Sequence, residues 1–448
     1  MGRPLVVVLT TLVIGGCDDA PPDSSGQLGD TTFVFSSAPQ RGTASLREVS
    51  RIGMVEGPPE YLLGDVPMFT VGPDGSLFVA DVDGDLRHYD KDGKYVRMIA
   101  RQGQGPGEVR YVVGMDVSAD GLLAALDFGN RRVTVFSRGG SLVREIRLRP
   151  SAGRPGYGRD AIRWDDQGQL WIALNPPRSG PDTLSGVQLR PVFGRLADHE
   201  EVADTVLLPN RAWEGCERRL PAYSGGFMED DRLRHMPFAQ WSQNRMGVLA
   251  FGCSARYAVD LVRPDGMVTR VSRAWEPLVR TEEEHGFWSN GFRIANVRRQ
   301  STNQTLMSLG REDQLRPIPP VPVLPRERPA FLRLWHTDDG RVWAWPGAKG
   351  WSRPLTEEQR RQQRQLPGGE LPMPGRIWSY WNPTDGLDVF DTDGRWIGHV
   401  STPESWAAAP YPGTEDPYIR GDTIWAVVKD ELDVSYIARF EIEWPSPD

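Results

Sequence analysis

The chain of 448 residues has few of the side chains that build metal centres and nucleophilic sites, with 3 cysteines and 6 histidines. The histidines, His88, His199, His235, His285, His336 and His399, are scattered and form no HExxH or related spacing. That pattern places them in turns or on the surface. A G-x-S-x-G elbow, a phosphate-binding loop and a catalytic-cysteine signature are missing as well. Positive charge is in deficit: 52 Lys and Arg stand against 60 Asp and Glu, a net charge of −8, and the basic stripe of a nucleic-acid surface is not there. No apolar run approaches the roughly 20 residues that a membrane-crossing helix needs. What the chain does have is 48 Gly, 38 Pro and 16 Trp. So many turn residues and large indoles fit short strands packed by bulky side chains, and they argue against a helical bundle.

Residues 1–16 carry one positive charge, Arg3, and then an apolar run from Leu5 to Ile14. This has the length of a signal-peptide core and is too short to span a bilayer. Ile14-Gly15-Gly16-Cys17 resembles the lipobox of bacterial lipoproteins, in which the cysteine is acylated and becomes the mature N-terminus. The resemblance implies an exported chain anchored through Cys17 on the periplasmic side of the envelope. The other reading is a cleaved secretory signal with an incidental cysteine. Asp18 resembles the inner-membrane retention signal of some Gram-negative bacteria, and 17–44, rich in Asp, Pro, Ser and Gly, reads as a flexible tether.

The body, 45–448, repeats. Residues 56–81 and 104–127 share one order: a Gly-Pro turn ending in Glu, a strand, an Asp-Gly turn, a second strand and an Asp. Gly75 and Gly121 are 46 residues apart, as are Asp81 and Asp127. The second strand returns as Leu170–Ala173, Val248–Phe251, Val342–Trp345 and Ile424–Val427. Six units of four short strands each describe an all-β, six-bladed β-propeller. The last unit ends one strand short, whereas a spare strand at 45–60 precedes the first. The N-terminal strand should therefore complete blade six and close the ring.

Gly103-Gln104-Gly105-Pro106-Gly107-Glu108, then Asp120-Gly121, Asp127 and Asn130–Phe136, resembles the NHL-repeat family, and in particular bacterial six-bladed propeller lipoproteins. The resemblance implies a fold and leaves chemistry open, because propellers host binding modules and enzymes alike.

Six blades need roughly 280 residues. The surplus falls at about 209–237, 281–329 and 346–375. These are fourth-to-first or second-to-third connections, so antiparallel strands send all three to one face of the disc. Thr281–Glu284 and Thr356–Gln359 read as helix caps, and the insertions form either a lid or a decoration. Cys216 lies in the first insertion and Cys253 just past a strand on the same face, so a disulfide could staple the insertion down; two unpaired cysteines are the alternative.

On that face the repeat places Glu60, Asp81, Asp83, Glu108, Asp127, Asn130 and Arg131 in turns. They are either caps of turn N–H groups or, together, an acidic mouth that prefers cationic ligands. Glu56-Gly57-Pro58 resembles the metal-binding motif of calcium-dependent gluconolactonase-like propellers, which would make Glu56 a calcium ligand and the chain a hydrolase acting at the channel mouth. The blade turn accounts for the same motif, since Glu56 occupies the place of Gln104 in the next repeat. The favoured expectation is a monomeric, non-catalytic propeller without a cofactor. It would bind a protein or small ligand on its insertion-bearing face and be held to a membrane by its lipid. An aromatic groove drawing on Trp213, Trp241, Trp288 or Trp351 would suit that role.

Overall fold

The structure, a computed structural model, describes residues 24–446 apart from 65–67, 82–84, 149–153, 156–158, 176–191, 197–201, 208–238, 316–317, 319–324, 348–350, 355–356, 358–375, 380–385, 404, 407–415 and 433. Three strands come first: β1 (Ser24–Leu28), β2 (Thr31–Ser36) and β3 (Thr43–Ile52). Blade one is β4 (Met68–Val71), β5 (Leu77–Ala80), β6 (Leu86–Tyr89) and β7 (Tyr95–Ala100). Blade two is β8 (Val112–Val117), β9 (Leu123–Asp127), β10 (Arg132–Phe136) and β11 (Leu142–Arg147). A short β12 (Arg154–Pro155) precedes β13 (Ile162–Trp164), β14 (Leu170–Asn175), β15 (Val192–Leu196) and β16 (Val202–Leu207) of blade three. Blade four is β17 (Ala239–Gln243), β18 (Leu249–Cys253), β19 (Ala258–Val262) and β20 (Val268–Arg273).

The helix α1 (Glu282–Ser308) follows. Blade five is β21 (Phe331–His336), β22 (Val342–Pro346), β25 (Leu387–Phe390) and β26 (Trp396–Val400). A separate hairpin of β23 (Trp351–Pro354) and β24 (Arg376–Ser379) interrupts it. Blade six is β27 (Tyr418–Arg420), β28 (Thr423–Lys429), β29 (Ser435–Glu443) and, from the other end of the chain, β3. The expected closure is thus present, with Ser45 opposite Glu443 and Ile52 opposite Ile437.

Each blade begins with its innermost strand, because the first strands of neighbouring blades touch: β4 with β8, β8 with β13, β17 with β21. The apolar core is divided accordingly. Six clusters of buried side chains lie one at each blade interface. Between blades five and six, Trp335, Trp343 and Trp345 meet Ile424, Ala426 and Phe440. Between blades two and three, Val133 and Val135 meet Ile162 and Trp164. Large residues suit this packing because twisted sheets leave wedge-shaped gaps between them. The Asp-Gly turns join first strand to second, and Gly75 (φ 84°) and Gly121 (φ 90°) adopt the left-handed conformation that a Cβ would strain.

Two expectations need correction. The stretch 17–44 is not a tether throughout, because β1 and β2 form a hairpin whose second strand pairs in parallel with β20 and widens blade four to six strands. The third insertion runs past 375, since β24 ends at Ser379 and blade five resumes only at Leu387. The second insertion does open on a capped helix, with Thr281 Oγ1 accepting from the Glu284 N–H at 3.2 Å, and that helix extends for 27 residues.

Removing the chain through Ile52 should leave β29 as an open edge and give a polydisperse, aggregating protein by light scattering. Removing only 24–36 should leave a monodisperse ring with a somewhat lower melting temperature.

Candidate functional site

On the insertion-bearing face the side chains of Glu108, Asp127 and Asn130 are used within their own turn. The Glu108 carboxylate folds back over the turn and accepts from the Gly105 N–H at 2.7 Å. A Cβ at Gly103 would lie 1.9 Å from Glu108 Oε2, so any larger residue there would push the carboxylate out of its place over the turn. Asp127, wholly buried at the end of β9, accepts from the N–H groups of Arg110 (3.0 Å), Tyr111 (3.1 Å) and Asn130 (3.1 Å), and from Asn130 Nδ2 (2.7 Å). Asn130 Nδ2 also donates to the Gly103 carbonyl at 2.8 Å. Arg131 is exposed and takes φ 54°, its carbonyl accepting from Leu148 N–H at 2.8 Å. It is the next residue, Arg132, that locks the turn, donating to the carbonyls of Gly105 (2.6 Å) and Glu108 (2.7 Å).

In blade one Asp81 pairs with Arg87 at 3.2 Å, and Glu60 sits in a short helical turn whose carbonyl accepts from the Tyr89 hydroxyl. Asp83 lies outside the described residues, as do Cys17 and Cys216. Cys253 ends β18 and is buried. Glu56 is exposed, and among the described residues no group of three or more His, Cys, Asp or Glu is placed to hold a metal ion. Of the candidate tryptophans, Trp213 is outside the described residues, Trp241 packs at the interface of blades three and four, and Trp288 meets Phe287 edge-on at 4.9 Å. Trp351 lies in β23.

The histidines also depart from expectation. His88, His336 and His399 stand in strands, and His336 is only 3% exposed. It belongs to a charged network around the inner strands that no sequence motif marks. Arg245, in the turn after β17, donates to Asp116 Oδ1 (2.8 Å) and the Val117 carbonyl (2.7 Å) of blade two, and to Asp338 Oδ2 (2.9 Å) of blade five. Arg163 of blade three reaches Asp338 at 3.2 Å and Asp160 at 3.4 Å. Asp160 in turn accepts from Ser242 Oγ at 3.2 Å, and Ser242 Oγ accepts from the His336 N–H at 2.9 Å. Four blades are thereby joined across the axis. Burial opposes the Arg245 charge, yet Asp116 and Asp338 outweigh it and raise its pKa further above the ordinary value. Burial drives His336 the other way, to about 4, so its ring is neutral and donates through Nδ1 to the Val248 carbonyl at 3.0 Å. A readable signal existed, since Asp116 and Arg163 interrupt otherwise apolar inner strands.

A second buried set joins blades four and five at a greater radius. Asp388 accepts from the Tyr257 hydroxyl and from Arg273 Nε (2.9 Å), and meets His399 Nδ1 at 3.1 Å. The Arg273 guanidinium lies 4.1 Å from the Tyr257 ring centre and 4.5 Å from that of Trp396. The helical insertion has its own neck, where Arg280 N–H donates to the Arg326 carbonyl and Arg328 N–H to that of Leu278. Arg328 pairs with Glu284 at 2.5 Å, and Arg280, its pKa lowered to about 10 by burial and the nearby Arg328, donates to the Glu327 carbonyl at 2.8 Å. From that neck α1 extends to contact β24 of the third insertion. Two of the three insertions thus meet on one face.

Fold and site together define a six-bladed β-propeller. Residues 60–154, which hold blades one and two, match a family described as a 6-bladed beta-propeller. Among solved structures the chain is similar to a virginiamycin B lyase from Staphylococcus aureus, with 12% identity, 88% of this chain and 98% of that one covered, and a TM-score of 0.37. A gluconolactonase from Xanthomonas campestris gives 12%, 90%, 98% and 0.34. An exported protein from Bacteroides fragilis gives 11%, 54%, 80% and 0.29. At such identities and scores none of them says what this chain does. No curated protein matches it in sequence.

Arg245→Ala strips Asp116 and Asp338 of a shared partner and should cost about 3–5 kcal/mol in urea unfolding. For His336, the unfolded ring takes up a proton near pH 6.5 and the folded ring near 4, so stability is present above 6.5 and falls as pH drops through that window. The loss is on the order of 3 kcal/mol by pH 4. His336→Asn should flatten this part of the pH profile.

Proposed function

We propose that this chain is an exported lipoprotein whose propeller binds a protein partner through its insertion-bearing face, without catalysis of its own. The observation that carries this reading is the one-sided distribution of exposed apolar surface. Of the seventeen exposed large hydrophobic side chains among the described residues, eleven belong to fourth-to-first or second-to-third connections, including Met54, Leu62, Tyr111, Val279, Leu309 and Leu432. The turns of the opposite face contribute Met246 alone, and the other five lie on outer strands. Apolar side chains gathered on one face of a rigid scaffold suit protein recognition. The charges near the axis support the same reading, because Arg163, Arg245, Asp116 and Asp338 are engaged with one another. A calcium-dependent hydrolase would need oxygen ligands converging on Glu56, and no observation favours that arrangement.

The anchor is read from Cys17, and a bond between Cys216 and Cys253 would hold the first insertion to blade four. If both hold, the denatured mature protein yields no free thiol until it is reduced, and Cys17→Ser moves it from the membrane to the soluble fraction. For the binding face, a photo-crosslinking residue at Leu309 or Leu432 should give a discrete adduct in intact cells, and one at Val143 on the outer strand of blade two should not. Adducts from Val143 alone, or from neither face site, would overturn the reading. Calcium and chelator should leave the melting temperature unchanged; a shift of several degrees would revive the hydrolase.

A further inference from the structure

The N-terminal hairpin fixes where the chain enters the ring. β2 runs parallel to β20, Thr31 opposite Val268 and Ser36 opposite Arg273, and β1 returns with Ser24 opposite Phe35. Ser24 therefore lies at the end of the sheet where β20 finishes. From that same end Arg273 leads into the neck of the helical insertion at Val279 and Arg280. The hairpin is held at both ends. Val268 N–H donates to the Asp30 carbonyl (3.0 Å), Ala274 N–H to the Ser36 carbonyl (2.8 Å), and Trp396 N–H to Ser36 Oγ (3.0 Å). The Arg270 guanidinium covers the Phe33 ring at 5.9 Å.

Between Cys17 and Ser24 the chain can span at most about 25 Å. A domain of this length has a diameter of about 50 Å. A lipid on Cys17 therefore reaches a bilayer only if the rim of blade four where β20 finishes is turned toward it, and keeping the insertion-bearing face open to its partner then sets the disc on its edge. That edge is uncharged along β1, whose sequence is Ser-Ser-Gly-Gln-Leu, so no buried charge opposes contact with headgroups.

We infer that the propeller stands edge-on at the membrane, with the outer edge of blade four and the neck of the helical insertion against the lipid surface. This rests on the acylated reading of Cys17. It adds an orientation: the insertion-bearing face looks along the membrane, and its partner is met at the bilayer surface.

The test uses the acylated full chain in vesicles of phosphatidylethanolamine and phosphatidylglycerol, part of the lipid carrying a nitroxide headgroup. A fluorescent amino acid is placed at Ser25, at Glu283 in the first turn of α1, or at Glu56, on the same face at the entry to blade one, three blades away; all three positions are exposed. Loss of fluorescence is expected at Ser25 and Glu283 and not at Glu56. Equal quenching at the three, as a disc lying face-down would give, or more at Glu56, overturns the orientation. Flotation and the mass of the N-terminal peptide read the anchor separately. A chain that floats without a positional difference sinks the orientation alone, whereas an unacylated chain left in the supernatant sinks the anchored reading and the orientation with it. A Gly/Ser spacer of about 20 residues inserted after Asp19 should preserve flotation and abolish the difference.

Discussion

The pairing of β3 with β29 brings residues 43–52 against residues 435–443, and the rest of the ring depends on it. A propeller blade has no core of its own. Its apolar residues are buried only when a neighbour stands on each side, and the six clusters sit between blades for that reason. Without β3, blade six ends in a bare edge and the fit between blades six and one is lost. That fit joins Tyr418, Trp425 and Val427 to Phe69, Val71 and Leu77. Arg420 adds to the same seam, donating to the Gly72 carbonyl at 3.0 Å. Closure thus couples the two ends of the chain and makes the stability of every interface a property of the whole ring.

Charge is used inside this ring in two distinct ways. Near the axis, Arg163 and Arg245 are shared among Asp116, Asp160 and Asp338, so that four blades are cross-linked, and loss of Arg245 would strip Asp116 of its ion pair. In the blade turns, carboxylates such as Asp127 take several N–H donors that the chain reversal would otherwise leave unmade. Both uses occupy the lone pairs that a ligand would need. The indoles behave differently again. Trp164, Trp335 and Trp343 are buried with no hydrogen-bond acceptor for Nε1 among the described residues, so their volume is what the interfaces use.

The exposed apolar residues and the insertions share a face because strand order dictates it. Connections of one parity leave one side of the disc, and the long ones all have that parity. The entry of the chain at Ser24 is drawn to the same end by the parallel pairing of β2 with β20. The start of the described chain, the helical insertion and exposed apolar side chains are thereby gathered at one end of blade four.

The sequence by itself determined the number of blades, the strand order and the means of closure. Each blade repeats the same local demands: a left-handed glycine at Gly75 or Gly121, a turn carboxylate at Asp81 or Asp127, and bulky residues on the second strand. Local demands of that kind are written in consecutive residues and can be read there. Which carboxylates are free cannot. Asp127 and Glu108 look like ligands until the N–H groups around them are placed, and Asp116 and Asp338, 222 residues apart in sequence, meet only through Arg245. The tether of 17–44 failed for a similar reason, since Thr31–Ser36 becomes a strand only because β20 offers it a free edge. Tertiary structure decided these points because a side chain's chemistry depends on which partners have already claimed it, and those partners come from blades far away in the chain.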